Sequence, residues 1–167
     1  MRVRVIVIAA VLVALGGEQA GMPVLRGQGK SGLPDPPKKD VPYIIHADLL
    51  IETDAGEATE ETRKDEQLYA VRGAAAAART PLAGPELLFH SEKFPAEKLL
   101  LYRLEPRAGR REVIIARKKK PVARPMRVSL FRIREKIVKI RVDDSLAPGE
   151  YCLSPDGSNA VFCFGVD

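Results

Sequence analysis

The sequence predicts an all-β fold, a single β-sandwich of about eight or nine antiparallel strands that follows a cleaved signal peptide. Many short segments alternate apolar and polar residues with a period of two, as half-buried strands do. Residues that favour turns separate these segments at close spacing, which is typical of sandwiches and barrels. The chain has 167 residues and is 46% hydrophobic, so its size and composition suit one domain with one core.

The first twenty residues have the three parts of a secretory signal. Two arginines lie within residues 1–4, residues 5–15 are an uninterrupted apolar run, and residues 16–20 are small and polar. The apolar run is too short to cross a bilayer, which needs about 20 residues. We therefore expect residues 1–20 to be a signal peptide, cleaved after Gly16 or Ala20. The mature protein is then periplasmic or secreted and has no transmembrane span.

A linker is predicted between the signal peptide and the domain. Residues 21–42 contain four glycines and five prolines without apolar periodicity, which predicts a flexible tether. The β-sandwich domain is expected to span residues 43–167. Its strands are predicted at residues 43–53, 67–72, 86–91, 99–104, 111–116, 127–134, 137–142, 150–154 and 161–166.

Three segments need separate treatment. In the first predicted strand, alternation places Ile45, Ala47, Leu49 and Ile51 on one buried face. Residues 58–66 are highly charged and lack an apolar stripe, so an exposed helical turn and a charged edge strand both remain open. Residues 74–78 are all alanine, but glycine and proline on either side leave little room for a helix, and we expect a loop there.

The clearest local structure is a C-terminal hairpin with turn formers at residues 155–159. A tight turn would place Cys152 and Cys163 on opposite faces. A longer loop places the two cysteines opposite each other and collects Tyr151, Leu153, Phe162 and Phe164 on one apolar face, which favours this second register. In an exported protein the opposed cysteines are predicted to form a disulfide, with two buried free thiols as the alternative.

This end of the chain also resembles a known group of proteins. The stretch LAPGEYCLSPDGSNAVFCFGVD, with TPLAGPELLF and GRREV upstream, resembles an uncharacterised family of exported bacterial proteins that end in similar Pro-Gly-Glu-Tyr and Phe-Gly-Val-Asp strands. That family implies no catalytic or binding residue. More loosely, the pattern Leu-x-Pro-Gly-x-Tyr is similar to the last hairpin of immunoglobulin-like bacterial modules, which implies a related sandwich and nothing about function.

Two histidines offer a weak metal-site hypothesis. His46 and Asp48 lie two residues apart in a predicted strand, and His90 and Glu92 repeat that spacing in another. If the two strands were neighbours, two imidazoles and two carboxylates would converge, and these are ligands that suit zinc. The simpler interpretation is polar residues on solvated strands. We therefore expect no metal and no cofactor.

Charge is distributed unevenly along the chain. Residues 48–66 carry eight acidic residues against two basic ones, whereas residues 103–141 carry fifteen basic residues against three acidic ones. The basic residues are expected to line an outer sheet face that attracts anionic polymers or surfaces, with a merely solvated face as the alternative. The predicted face consists of Arg117, Lys118, Lys119, Lys120, Arg127, Arg132, Arg134, Lys139 and Arg141.

The common enzyme signatures are absent from the sequence, which contains no G-x-S-x-G, no H-E-x-x-H and no phosphate-binding glycine loop. We therefore predict that the protein is not an enzyme. The expected function is a structural or interaction module of the bacterial cell envelope, with an envelope protein as partner. A binder of anionic polymers through the basic face is the first alternative, and a small metal-assisted enzyme is the second.

Overall fold

The structure is a computed structural model and describes residues 32–167. The predicted signal peptide and most of the predicted linker lie outside the described residues. Within the described range the chain forms fourteen strands and one short 3-10 helix, Ala96–Lys98. The strands are β1 (Pro42–His46), β2 (Leu49–Glu52), β3 (Asp54–Glu57), β4 (Thr59–Arg63), β5 (Glu66–Arg72), β6 (Arg79–Thr80), β7 (Glu86–His90), β8 (Leu99–Arg107), β9 (Arg110–Arg117), β10 (Lys120–Pro121), β11 (Val128–Arg134), β12 (Ile137–Val142), β13 (Gly149–Pro155) and β14 (Ala160–Val166).

The strands form two sheets, which confirms the predicted all-β, sandwich-like fold. The first sheet has the order β11-β12-β7-β1-β2. The second has the order β3-β14-β13-β8-β9-β5-β4, with β6 beside β14 and β10 beside β9. All pairs are antiparallel except the short contact between β6 and β14. Within residues 32–167, no helix is long and apolar enough to cross a membrane.

The second sheet curls into a half-barrel because one bent stretch of chain supplies both of its ends. β3 pairs with β14 and β4 pairs with β5, yet only Ala58 separates β3 from β4. Ala58 is buried, and its N–H donates to the carbonyl of Asn159 at 2.8 Å. The chain therefore passes from one end of the sheet to the other at this corner and draws the two ends together.

Strands β13 and β14, together with the first half of β8, form a central layer that is covered on both faces. Residues such as Leu101, Leu153 and Phe162 pack against the first sheet in the larger core. Their neighbours Cys152 and Val161 face the curled half of the second sheet in a smaller core. A strand covered on both faces needs apolar residues at successive positions, which explains the continuous apolar run in β14.

The C-terminal hairpin has the predicted register. Tyr151 pairs with Phe164, Cys152 with Cys163, and Leu153 with Phe162. The two cysteines form a disulfide with a Cα–Cα distance of 4.0 Å. The four large apolar residues Tyr151, Leu153, Phe162 and Phe164 all lie in the larger core, as the apolar face predicted.

The predicted single strand at residues 43–53 is wrong, because this segment is the β1–β2 hairpin. Ala47 has a φ of 51° in the two-residue turn. Ile44 pairs with Ile51, and both pack against the larger core, whereas Leu49 is 68% exposed. This turn contains neither glycine nor proline. The alternation therefore continued through the turn unbroken. It assigned the exposed Ala47 and Leu49 to the buried face and left out the buried Ile44.

The structure also gives the conformation of the charged segment and of the alanine segment. Residues 59–63 of the charged segment form the edge strand β4, so the strand alternative is the correct one. The alanines at residues 74–78 form a loop, as predicted.

The segment before β1, which its composition assigned to the linker, contacts the domain. Asp40 accepts hydrogen bonds from the backbone N–H groups of Glu92 and Lys93. Lys38 donates to Glu52 at 2.7 Å, and Arg134 donates to the carbonyl of Leu33. The compact unit accordingly spans Leu33–Asp167.

Candidate functional site

An open cleft of about 410 Å³ lies inside the half-barrel. Its walls come from both sides of the curl, the central layer on one side and β5 and β9 on the other. The side chains alternate along each strand, so every second residue points into the cleft. The apolar part of the lining includes Tyr69, Val71, Tyr102, Leu104, Val113 and Val161.

The cleft is open because β8 and β9 diverge. They pair only near their connecting turn, from Glu105 opposite Glu112 to Arg107 opposite Arg110. Before Glu105, β8 pairs with β13 instead. Where β8 and β9 no longer form ladder hydrogen bonds, a gap opens between them. Tyr102 on β8 and Val113 on β9 line this gap.

A buried ion pair closes one end of the half-barrel. Arg111 lies two residues before Val113 on β9, and Glu150 lies two residues before Cys152 on β13, so both point to the inner side. Arg111 Nη1 lies 3.4 Å from Glu150 Oε2, and both side chains are buried. Arg111 also donates to the carbonyl of Gly73. Polar groups that are paired this completely leave no charge free for a ligand at this end.

The opposite end, at the turn between β13 and β14, is open and polar. Its rim includes the carboxylate of Asp156 and the side chains of Ser158 and Asn159. Ser154 Oγ donates to the carbonyl of Ala160 at 3.0 Å, and the N–H of Ala160 in turn donates to Ser158 Oγ at 3.1 Å. These bonds fix the turn, so the rim is held in place without closing the cleft.

Two tyrosines, Tyr69 and Tyr102, stand on opposite walls of the cleft. Tyr69 pairs across the ladder with Glu60, and both line the cleft. Burial, and then the charge of Glu60, raises the pKa of Tyr69. Burial raises the pKa of Tyr102 as well, and the charge of Asp156 raises it further. Both phenols therefore stay neutral at physiological pH, and the field around them is negative.

The histidines proposed as metal ligands do not meet. β1 and β7 are neighbours, as the hypothesis required, but they are antiparallel, and Pro42 pairs with Phe89. This register puts His46 and His90 at opposite ends of the strand pair. Asp48 lies in the β1–β2 turn, and Glu92 is engaged by Lys136 at 3.1 Å. Across residues 32–167 no group of three or more histidine, cysteine or acidic side chains is arranged to hold a metal.

The predicted basic face is divided between two places. Residues 117–120 lie at the β9–β10 turn of the second sheet, whereas the other five lie on or beside β11 and β12 of the first sheet. Four of those five form ion pairs: Arg127 with Asp144, Arg134 with Asp35, Lys139 with Glu86, and Arg141 with Asp143. Arg132 donates to the carbonyl of Glu135.

One aromatic residue shares the β11–β12 surface with these charges. The Nζ of Lys139 and the guanidinium of Arg141 lie 5.6 and 4.9 Å from the ring centroid of Phe131. Lys139 and Arg141 thus interact with an aromatic ring of the protein as well as with their acidic partners.

Sequence reasoning missed the residues that line the cleft. Tyr69 and Tyr102 lay in predicted strands, but their two strands do not pair with each other and meet only across the curl. One signal was present: the run of apolar residues in β14 leaves no polar face for solvent. Such a strand requires cover on both sides, and hence a third layer behind the sandwich.

Comparison of the chain with protein-family models, with curated proteins and with solved structures found no match. The resemblance to exported bacterial proteins and to immunoglobulin-like modules stays a prediction.

Proposed function

We propose that this protein is an exported binding module of the cell envelope that holds a small, largely apolar ligand in the half-barrel cleft. The observation that carries the proposal is the cleft itself: an open cavity of about 410 Å³ with apolar walls and a polar rim. Small-molecule sites typically have volumes of about 300–1,000 Å³ and combine apolar walls with a few polar groups. Export is supported by the predicted signal peptide and by the Cys152–Cys163 disulfide.

The shape of the cleft favours a small molecule over a protein segment. Its walls curve around from β5 and β9 to the central layer, and one end is closed by the buried Arg111–Glu150 pair. A ligand that enters from the rim is thus surrounded on several sides. The interaction module expected from the sequence becomes, in this proposal, a receptor for a small ligand.

A neutral fluorescent probe, N-phenyl-1-naphthylamine, tests this function on the full mature chain. We expect its fluorescence to rise on binding, with a dissociation constant in the micromolar range. Val113→Trp fills the cleft and should weaken probe binding at least about tenfold, because the indole occupies the apolar volume. Ile115→Trp, further from the closed end, is a second filling variant in case the first disturbs β9.

Val122→Trp is the matched control. Val122 is an exposed apolar residue just after β10 and does not line the cleft. The Val122→Trp variant should bind the probe with the same affinity as the wild type. Equal probe binding by the wild type and by both filling variants, with each variant folded by circular dichroism, would overturn the proposal. Absence of any probe binding to the wild type would do the same.

A further inference from the structure

The charged groups of the cleft are all of one sign. Among the described residues that line it, Glu60 and Asp156 are acidic, and none is lysine, arginine or histidine. Glu60 is held by the amide of Gln67, whose Nε2 donates to Glu60 Oε1 at 2.6 Å, and this neutral bond leaves its negative charge in place. The closed end adds no net charge, because Glu150 and Asp167 together balance Arg79 and Arg111.

Two aromatic rings line the cleft together with these carboxylates. Glu60 and Tyr69 are cross-strand partners on β4 and β5. Tyr102 lies on the facing wall in β8, and the charge of Asp156 acts on its phenol. Aromatic faces attract cations through the ring quadrupole, and nearby carboxylates strengthen that attraction. The cleft thus combines two rings on facing walls with two carboxylates, Glu60 beside Tyr69 and Asp156 at the rim.

We infer that the cleft selects an organic cation, an ammonium group attached to an apolar body, with the cation held between Tyr69 and Tyr102 and near Asp156 and Glu60. The inference rests on the proposed function, because it names the class of ligand that the cleft binds. The apolar body fills the space beside Val71, Val113 and Val161 that the walls leave open.

The same arrangement disfavours anionic ligands. A carboxylate or sulfonate that entered the cleft would lose its hydration and meet Asp156 and Glu60 without a positive partner among the lining residues. The cleft therefore disfavours fatty acids and acidic polymers as occupants. The basic groups of β11 and β12 lie on the other sheet, and Lys118 and Lys119, although beside β9, do not line the cleft. Selection by charge predicts different affinities for ligands of equal shape and different charge, whereas selection by apolar shape predicts similar affinities.

Three probes of nearly equal shape test the inference: benzyltrimethylammonium, its uncharged carbon isostere neopentylbenzene, and phenylmethanesulfonate. Binding to the full mature chain is measured by NMR titration of the tyrosine ring signals. We expect the ammonium to bind about tenfold more tightly than the isostere and the sulfonate not to bind. The affinity for the ammonium should fall as salt rises, because the carboxylates are exposed.

Variants assign the effect to named groups. Tyr69→Leu and Tyr102→Leu should each weaken ammonium binding about fivefold while leaving the isostere nearly unaffected. Asp156→Asn should weaken ammonium binding about threefold. Asp48→Asn is the matched control, since Asp48 is also an exposed aspartate in a hairpin turn but lies outside the cleft, and it should change nothing.

The outcomes separate the inference from the proposed function. Equal affinity for the ammonium and the isostere, or tighter binding of the sulfonate, overturns the inference but leaves a ligand-binding cleft. Failure of all three to bind also overturns it, and the neutral fluorescent probe then decides the proposed function independently. Loss of ammonium preference in Asp48→Asn as well as in Asp156→Asn would place the selectivity outside the cleft and refute the assignment.

Discussion

Arg111 and Glu150 form an ion pair inside the half-barrel, with side chains only 4% and 6% exposed. Arg79 Nη1 and the N–H of Ala76 also donate to this carboxylate, at 2.8 and 2.7 Å. The pair joins β9 to β13 and ties the alanine loop to the end of the curled sheet. Because the two charges are paired, both side chains can be buried in an otherwise apolar layer.

The first prediction concerns this pair. Glu150→Gln leaves the buried Arg111 without its counterion, and we expect the free energy of unfolding to fall by about 3 kcal/mol. Urea denaturation measures the change. The control is Glu105→Gln, because the Glu105 side chain is 74% exposed, and it should cost less than about 0.5 kcal/mol. Similar values for the two variants would contradict a structural role for the pair.

A second prediction concerns Gly165 in β14. A Cβ at this position would overlap the guanidinium of Arg79, which bonds to Glu150 and Asp167. Gly165→Ala should therefore displace Arg79 and lower the free energy of unfolding by about 1–2 kcal/mol. Gly84→Ala, where the added methyl group meets open space, is the control and should have little effect.

The assignment of this cost to Arg79 has its own test. In an Arg79→Ala background the obstacle is gone, so Gly165→Ala should add much less to the loss of stability than it does in the wild type. Additive costs of the two changes would show that Gly165 is needed for another reason.

A third prediction concerns the disulfide. Cys152 and Cys163 are eleven residues apart, and closing a loop of this length stabilises a fold by about 2–3 kcal/mol. Replacing both cysteines by alanine should lower the midpoint of urea denaturation accordingly, and a reducing agent should have the same effect on the wild type. Mass spectrometry after alkylation without reduction should find neither thiol modified. Two alkylated cysteines in the purified protein would contradict the disulfide.

The fourth prediction is a dependence of stability on pH. Asp40 Oδ1 accepts three backbone N–H bonds, from Glu92, Lys93 and Phe94. Burial acts to raise the pKa of Asp40, but the three backbone donors and the Lys93 charge more than offset it and leave the pKa below its usual 3.8. The ionised carboxylate therefore stabilises the fold above that value, and the contribution is lost as pH falls through the lower folded-state pKa.

Asp40→Asn tests this dependence. The variant should be less stable than the wild type by about 1 kcal/mol at pH 7, and the difference should shrink as the pH falls below about 4, because the wild-type carboxylate then protonates. Thermal unfolding between pH 2 and pH 7 measures it. Asp48→Asn, in an exposed turn, should follow the wild-type curve. A constant difference between Asp40→Asn and wild type at all pH values would refute the assignment.

Much of the fold was predictable because its signals are local. The strand at residues 150–154 and its partner at residues 161–166 were recognised from alternation and turn composition, and the same reasoning opposed Cys152 to Cys163. The β1–β2 hairpin was missed because its two-residue turn contains no turn-forming glycine or proline. The candidate metal site failed for a different reason: sequence places His46 and His90 on strands but contains no information on the register between those strands.

The sequence by itself determined the all-β class, the last hairpin with Cys152 opposite Cys163, and the loop at residues 74–78, because each depends on neighbouring residues. Only the tertiary structure decided that the second sheet curls at Ala58 and that Tyr69 faces Tyr102 across an open cleft. Those relationships depend on how strands distant in the chain pair and diverge, above all on β8 leaving β9 for β13. The residues proposed to bind a ligand are therefore ordinary strand residues in the sequence, and they become a site only when the sheet closes around them.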